Sequence, residues 1–167
     1  MVVKKYILEN LNNLDSLYKK SVGAKEPLYY SKLAILELCG WIEISMDDIV
    51  RQCAKKNLRN LSNRKYIEEE FIERTHSFGY STHFRRMLIG VIGLNFIEKL
   101  EQEVDSYKFG RLRATLGSLK KDRDIEAHEY IKGTTKMLDA PSVTKNNLLC
   151  VYDGLKEFEK ELRRLRL

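Results

Sequence analysis

Apolar residues recur with helical spacing along most of this chain of 167 residues. The first such run comprises Val3, Ile7, Leu11, Leu14, Leu17 and Tyr18. Spacings of three and four place these side chains on one face of a helix. The period-two alternation that would predict strands is nowhere sustained, and only two prolines interrupt the chain. The sequence therefore predicts an all-α fold.

The second predicted helix is the most apolar segment of the chain. Gly23 ends the first helix, and Pro27 can open a second one that continues to about residue 56. The middle of this segment is apolar nearly all round, which is typical of a helix in the core of a bundle. Trp41, the only tryptophan, is expected to anchor that core.

Polar stretches and glycines divide the remainder into further helices. A loop is predicted at 57–63, and Gly90 and Gly93 are expected to permit close packing of the fourth helix. A fifth helical element is expected at about 105–131, either continuous or broken near Gly110 or Gly117. The predicted capping or first residues of the third, fourth and last helices are Ser62 or Asn63, Thr82, and Ser142 or Thr144. No linker or repeat is found, so residues 1–167 are predicted to form one bundle of about five to six helices.

The charge of the chain favours a polyanionic partner. Thirty lysines and arginines outnumber 24 aspartates and glutamates, which gives a formal net charge of +6. RNA, DNA and an acidic protein are all compatible with this excess. Several cations fall in the segment 108–123, and four of them are candidate RNA contacts: Arg111, Arg113, Lys120 and Lys121.

The cysteines and histidines form no recognisable metal or disulfide pattern. Cys39, Cys53 and Cys150 are odd in number and lack CxxC spacing, which favours buried reduced thiols. His76 and His83 lack the HExxH spacing of a zinc site and are interpreted as surface or packing residues. Neither a metal nor a cofactor is predicted.

No segment predicts membrane insertion or export. The longest apolar run, residues 87–97, is too short to span a bilayer. The N-terminal residues lack the apolar region and cleavage site of a signal peptide. A cytoplasmic location without membrane contact is therefore expected.

The stretch KKDRDIEAHEY, residues 120–130, places an arginine, an aspartate and a histidine within six positions. On a helix, Asp124 and His128 are four residues apart and share a face, so the carboxylate can accept a hydrogen bond from the imidazole and orient it. Arg123 lies about 140° around the helix from His128. One helix therefore cannot easily close both groups around a single phosphate.

The residue types in this stretch suit cleavage of RNA without a metal. That reaction requires a base for the 2′-hydroxyl, an acid for the departing 5′-oxygen and a cation against the growing charge of the phosphate. Histidine exchanges protons near neutral pH, and the planar fork of arginine binds phosphate. A two-fold dimer that places two such helix ends side by side would supply the second histidine and arginine.

This stretch resembles the signature of the HEPN superfamily, in which an arginine, four to six residues and a histidine lie on the penultimate helix of a small bundle. Asp124 matches the Asn, Asp or His that usually follows the arginine, and Ala127 is similar to the alanine of the common RN-x-x-AH form. Residues 31–50 resemble the second helix of the RiboL-PSP and related bacterial groups, with Glu43 at the place of their acidic residue. Residues 147–162 look like the closing helix of those proteins.

The resemblance implies a metal-independent endoribonuclease that acts as a homodimer, often a toxin or phage-defence effector restrained by a partner protein. It implies that Arg123 stabilises the phosphate, that His128 transfers protons and that Asp124 orients the histidine. Glu43, on a strongly apolar helix, needs a partner for its carboxylate, and the family favours Arg123. Tyr130 is expected either in the same cleft or in the core.

The alternative is a non-catalytic, HEPN-like helical module that binds RNA, DNA or protein as a regulatory subunit of a larger complex. His128 would then be a surface histidine paired with Asp124, and Arg123 an ion-pair partner of Glu126 or Glu43. A helix-turn-helix DNA-binding protein is disfavoured because no short helix pair with a base-reading surface is found. The RNA substrate, the cleavage preference and any inhibitor or trigger have no motif in the chain.

Overall fold

Seven α-helices are present in the computed structural model, which describes residues 1–133 and 136–165. They are α1 (Lys5–Lys20), α2 (Glu26–Asn57), α3 (Leu61–Ile67), α4 (Arg85–Ile92), α5 (Leu94–Glu103), α6 (Ser106–His128) and α7 (Pro141–Arg164). Two wider π-helical turns, Glu68–Ile72 and Tyr80–Phe84, follow α3 and precede α4. The described residues contain no strand, so the predicted all-α class is confirmed. None of their helices has the length and apolar character of a bilayer-crossing segment.

Gly93 explains why the described chain has more helices than the five to six predicted. Its φ of 78° ends α4, and α5 begins at the next residue. The expectation that Gly93 permits close packing within one helix was therefore wrong. The same expectation is confirmed for Gly90, where an added Cβ would lie 2.7 Å from Cε1 of the Phe71 ring.

The starts of three helices differ from their predicted positions. The side chain of Asn60 accepts a hydrogen bond from the Ser62 amide at 2.9 Å, so the cap of α3 lies two or three residues earlier than predicted. Thr82 lies inside the π-helical turn before α4, and its Oγ1 is 2.7 Å from Nδ1 of His83. α7 begins at Pro141. Proline has no N–H, and this costs nothing at the first position of a helix, where an N–H has no intrahelical partner.

α2 occupies the centre of the bundle and contacts α1, α4, α6 and α7. Leu38, Ile42 and Met46 are fully buried there, as its apolar pattern predicted. Trp41 is only partly buried, and its indole N–H donates to the Val3 carbonyl at 3.0 Å, so its expected role as core anchor was wrong. An aromatic cluster is formed instead by Tyr80, Phe84, Phe109 and Phe158, whose contacting rings have centroids 4.8–6.3 Å apart.

The packing of α6 against α7 fixes the position of the helix that carries the candidate site. Gly154 lies against Leu112, and a Cβ at residue 154 would be 2.7 Å from the Leu112 Cβ. Lys108 Nζ donates to Glu157 Oε2 at 2.7 Å. This hydrogen bond, with a second one from Lys160, lowers the pKa of the buried Glu157 carboxyl. α6 is thus attached to α7 by a close apolar contact and by an ion pair.

We expect Gly154→Ala to lower the free energy of unfolding by about 1–3 kcal/mol, because the added Cβ forces α6 and α7 apart. Gly117→Ala is the matched control, since Gly117 is exposed on the unbroken α6 and open space surrounds its Cβ position. That change should raise the free energy of unfolding by about 0.5–1 kcal/mol through helix propensity. Urea unfolding followed by circular dichroism measures both. Equal stabilities would contradict the close contact at Gly154.

Candidate active site

Arg123 is held between α6, α2 and the segment before α4. Its Nη2 donates to the Ser77 hydroxyl at 3.2 Å and lies 3.5 Å from Oε1 of Glu43 on α2. The guanidinium carbon is 5.6 Å from the centroid of the Phe78 ring, within the range of a cation–π contact. The predicted pairing of Glu43 with Arg123 is therefore confirmed. These contacts fix the arginine in one orientation and leave its side chain 24% exposed.

The surroundings of Arg123 include a buried thiol. Cys39 on α2 is buried and free, and burial is the main cause that raises its pKa to about 12, with Arg123 acting in the opposite direction. Nε of Arg123 is itself buried and finds no hydrogen-bond acceptor among the described residues, although Asp124 Oδ1 lies 3.2 Å away. Nε of Arg123 is thus paired with the Asp124 carboxylate by charge, without a well-formed hydrogen bond.

Asp124 is bound to Lys120 rather than to His128. Lys120 Nζ donates to Asp124 Oδ2 at 2.6 Å, and this hydrogen bond is the main cause that lowers the pKa of the Asp124 carboxyl. The expected Asp124–His128 hydrogen bond is not formed among the described residues. The ammonium four residues earlier occupies the carboxylate, and a charge-assisted hydrogen bond of this kind is a strong one. Asp124 therefore does not orient the histidine in this structure.

His128 is the last residue of α6 and is exposed. It lines an open groove of about 500 Å³ together with Glu129, Tyr130, Lys132, Gly133 and Lys136. Tyr130 is 74% exposed, so its expected place in the core was wrong, and it lines this groove beside His128. A histidine and a tyrosine thus lie side by side at the end of α6, with lysines around them.

Two lysines hold the residues of this groove against the helical bundle through ion pairs and a hydrogen bond. Lys136 Nζ lies 2.7 Å from Oε1 of the buried Glu126 and 3.1 Å from Oε2 of Glu129. The hydrogen bond to Glu126 is the main cause that raises the pKa of Lys136. Lys32 on α2 donates to the Glu129 carbonyl. The chain that follows His128 is thereby held against α6 and α2.

The predicted RNA contacts fall into two groups. Lys120 and Lys121 lie three and two residues before Arg123, although Lys120 is engaged by Asp124. Arg111 and Arg113 are exposed and lie against the rings of neighbouring aromatic residues. Arg111 stands 12 positions before Arg123, a separation of about 18 Å along α6. The two arginines therefore do not share a site with Arg123 and His128.

Ser77 and Phe78 contact Arg123 but carried no signal in the sequence. They belong to a short polar break between two helices, and only the fold brings that break onto α6. No group of three or more His, Cys, Asp or Glu residues in the described ranges is placed to hold a metal ion. The site is therefore built from an oriented arginine on one side of α6 and an exposed histidine at its end.

We expect Arg123→Ala to lower the free energy of unfolding by about 1–3 kcal/mol, because it leaves the buried Ser77 hydroxyl and the half-buried Glu43 carboxylate without their partner. His128→Ala should change the same quantity by less than about 0.5 kcal/mol, since the histidine is exposed. Thermal and urea unfolding of the two variants make this comparison. A destabilising His128→Ala would show a structural role for the histidine.

No protein-family model matches this chain, and no curated protein and no solved structure matches it either. The resemblance to the HEPN superfamily therefore stays a prediction, which rests on the 120–130 stretch and on its place in the penultimate helix. The side chains of the site determine the chemistry that it can perform. These are a preorganised arginine, an exposed histidine and a groove lined by tyrosine and lysine.

Proposed function

We propose that this protein is a metal-independent endoribonuclease of the HEPN type, with a composite active site at a homodimer interface. The observation that carries the proposal is the combination, within the last two turns of α6, of an oriented arginine and an exposed histidine in a groove. The arginine suits phosphate and the histidine suits proton transfer. The two groups supply chemistry that phosphodiester cleavage requires.

In the proposed reaction, His128 exchanges a proton with the attacking 2′-hydroxyl or the departing 5′-oxygen. Arg123 stabilises the negative charge that grows on the phosphate through the part of its side chain that stays exposed. Glu43 and Ser77 hold the guanidinium in place. Tyr130 lies beside His128 in the groove and is proposed to contact the RNA.

The role of Asp124 depends on Lys120. In the free chain, Lys120 occupies the carboxylate. A bound phosphate competes for the ammonium, because it is also an anion that accepts hydrogen bonds. In the proposal, Lys120 turns to the RNA and releases Asp124, which then orients the imidazole of His128.

A second copy of the chain is needed because of the geometry of α6. Arg123 and His128 are about 140° apart around the helix axis and about 7.5 Å apart along it. Arg123 faces α2 and the segment at residues 77–78, whereas His128 faces solvent. A two-fold partner that brings its own α6 end to this groove would place a second arginine and histidine in one cleft.

The resemblance to the HEPN superfamily also suggests a biological role for the proposed nuclease. Proteins with this motif are often toxins or phage-defence effectors that act on RNA in the cytoplasm, and we extend that setting to this chain. An inhibitory protein partner, such as an antitoxin or a subunit of a defence complex, would then cover the groove or the dimer interface.

A non-catalytic binding module is the second candidate function, and one observation favours it. Arg123 is already engaged by Glu43, Ser77 and Phe78, as in a purely structural ion pair. In that case the exposed cations would bind RNA without cleaving it. The two functions are distinguished by whether the wild type cleaves RNA and whether that cleavage requires His128.

The purified protein is expected to cleave total RNA in the presence of EDTA, and His128→Ala is expected to abolish that cleavage. The loss follows from the absence of the proton-transfer group, and gel analysis of labelled RNA measures it. Asn146→Ala, at an exposed position of α7, is the control and should cleave as the wild type does.

RNA binding without cleavage by the wild type would replace the nuclease with the binding module. Cleavage by His128→Ala at the wild-type rate would remove the histidine from the mechanism. Expression of the wild type and of His128→Ala in growing cells extends the comparison to toxicity.

A further inference from the structure

A second groove, of about 440 Å³, lies on the side of the molecule where the segment before α4 meets α3 and the turn after it. Its walls carry two histidines, two arginines and two aromatic rings: His76, His83, Arg74, Arg86, Tyr66 and Phe71. We call it the histidine groove. The residues differ entirely from those of the groove around His128.

The charge of the histidine groove is positive. Arg74 is paired with Glu70, the only acid that lines the groove, with Nη1 2.6 Å from Oε2. Arg86 is exposed and forms no ion pair with the described residues. The groove therefore keeps one uncompensated guanidinium, which suits an anion that accepts two parallel hydrogen bonds.

His83 adds a second polar group that faces the same space. Its Nδ1 lies 2.7 Å from the Thr82 hydroxyl, and the glycine at position 79 makes room for this pair, since a Cβ there would be 2.8 Å from Thr82 Oγ1 and 3.2 Å from His83 Nδ1. The pKa of His83 is lowered, first by burial and then by nearby cations that include Lys120, Arg86 and Arg123. A neutral imidazole can donate a hydrogen bond to an anion without bringing a further charge.

The aromatic rings of the groove are placed for stacking. Tyr66 is 56% exposed, and its ring packs edge-on against Phe71 with centroids 6.0 Å apart. Phe71 in turn rests on Gly90, which offers no side chain in its way. An exposed ring beside an unpaired arginine is the combination with which proteins bind single-stranded nucleic acid.

The lining of the histidine groove is adjacent in sequence to the residues that contact Arg123. Ser77 and Phe78, which contact Arg123, come directly after His76, and Lys120 and Arg123 are among the charges that act on His83. We propose that the histidine groove binds the RNA strand next to the phosphate held by Arg123, with Arg86 and His83 on a backbone phosphate and Tyr66 stacked on a base. This inference rests on the proposed function for the identity of the ligand.

The test measures binding apart from cleavage. A short fluorescein-labelled RNA with 2′-O-methyl groups cannot be cleaved through its 2′-oxygens, and fluorescence anisotropy gives its affinity at several salt concentrations. Arg86→Ala should weaken binding about tenfold and reduce the slope of log affinity against log salt by about 1, because one phosphate contact is lost. Tyr66→Ala should weaken binding about tenfold and leave that slope unchanged, because stacking releases no counterions.

Arg163→Ala is the matched control, because Arg163 is an exposed arginine near the end of α7 that lines no part of the histidine groove. It should bind the RNA as the wild type does. Wild-type affinity and slope in Arg86→Ala would overturn the inference, as would equal losses in Arg86→Ala and Arg163→Ala.

The result is distinguishable from failure of the nuclease proposal. If the wild type cleaves RNA and Arg86→Ala binds RNA normally, the proposal for the histidine groove is wrong and the nuclease proposal stands. If the wild type does not cleave RNA, but Arg86→Ala and Tyr66→Ala both weaken RNA binding, the nuclease proposal is wrong and the histidine groove stands as an RNA-binding site.

Discussion

The burial of α2 is the constraint on which the rest of this structure depends. Its buried faces pack against α1, α4, α6 and α7, whereas a narrow stripe that includes Tyr29, Leu33 and Ile44 stays exposed. A carboxylate on such a helix is costly unless it is paired. Glu43 is the residue in question, and the guanidinium of Arg123 lies 3.5 Å from it. This contact, together with the burial of Leu112, Leu116 and Leu119, fixes which face of α6 meets the bundle.

Once Arg123 faces α2, the position of His128 follows from helical geometry. Five residues further along, the histidine emerges about 140° around the axis, at the end of the helix and in solvent. The structural ion pair and the exposed proton-transfer group are thus consequences of one helix orientation. Contacts with α2 and Ser77 orient the arginine, and exposure makes the histidine accessible to ligands. Within one chain, however, the two side chains lie on different faces of α6. This is the physical reason for proposing that two copies complete one site.

The parts of the fold that could be predicted were those encoded in local patterns. Apolar spacing predicted α1 and α2, and the resemblance to the HEPN superfamily favoured the contact between Glu43 and Arg123. The break at Gly93 was missed because its positive φ depends on the way α4 and α5 fold back, and a glycine inside an apolar run also fits a continuous helix.

The side-chain partners in the site were harder to predict. The spacing of Asp124 and His128 allowed a hydrogen bond, yet Lys120 stands at the same spacing on the other side of the aspartate and carries a full charge. Ser77, Phe78 and the histidine groove come from a segment far from α6 in sequence, so only the tertiary fold places them beside Arg123.

The central claim, that Arg123 and His128 act together across a dimer interface, is tested most directly by mixing two inactive variants. Arg123→Gln and His128→Ala are each expected to lack cleavage activity when purified alone. After unfolding and refolding together, their heterodimers contain one intact arginine and one intact histidine, and we predict that RNA cleavage returns in proportion to the heterodimer fraction seen by native mass spectrometry. A mixture that forms heterodimers and stays as inactive as its parents would contradict the account.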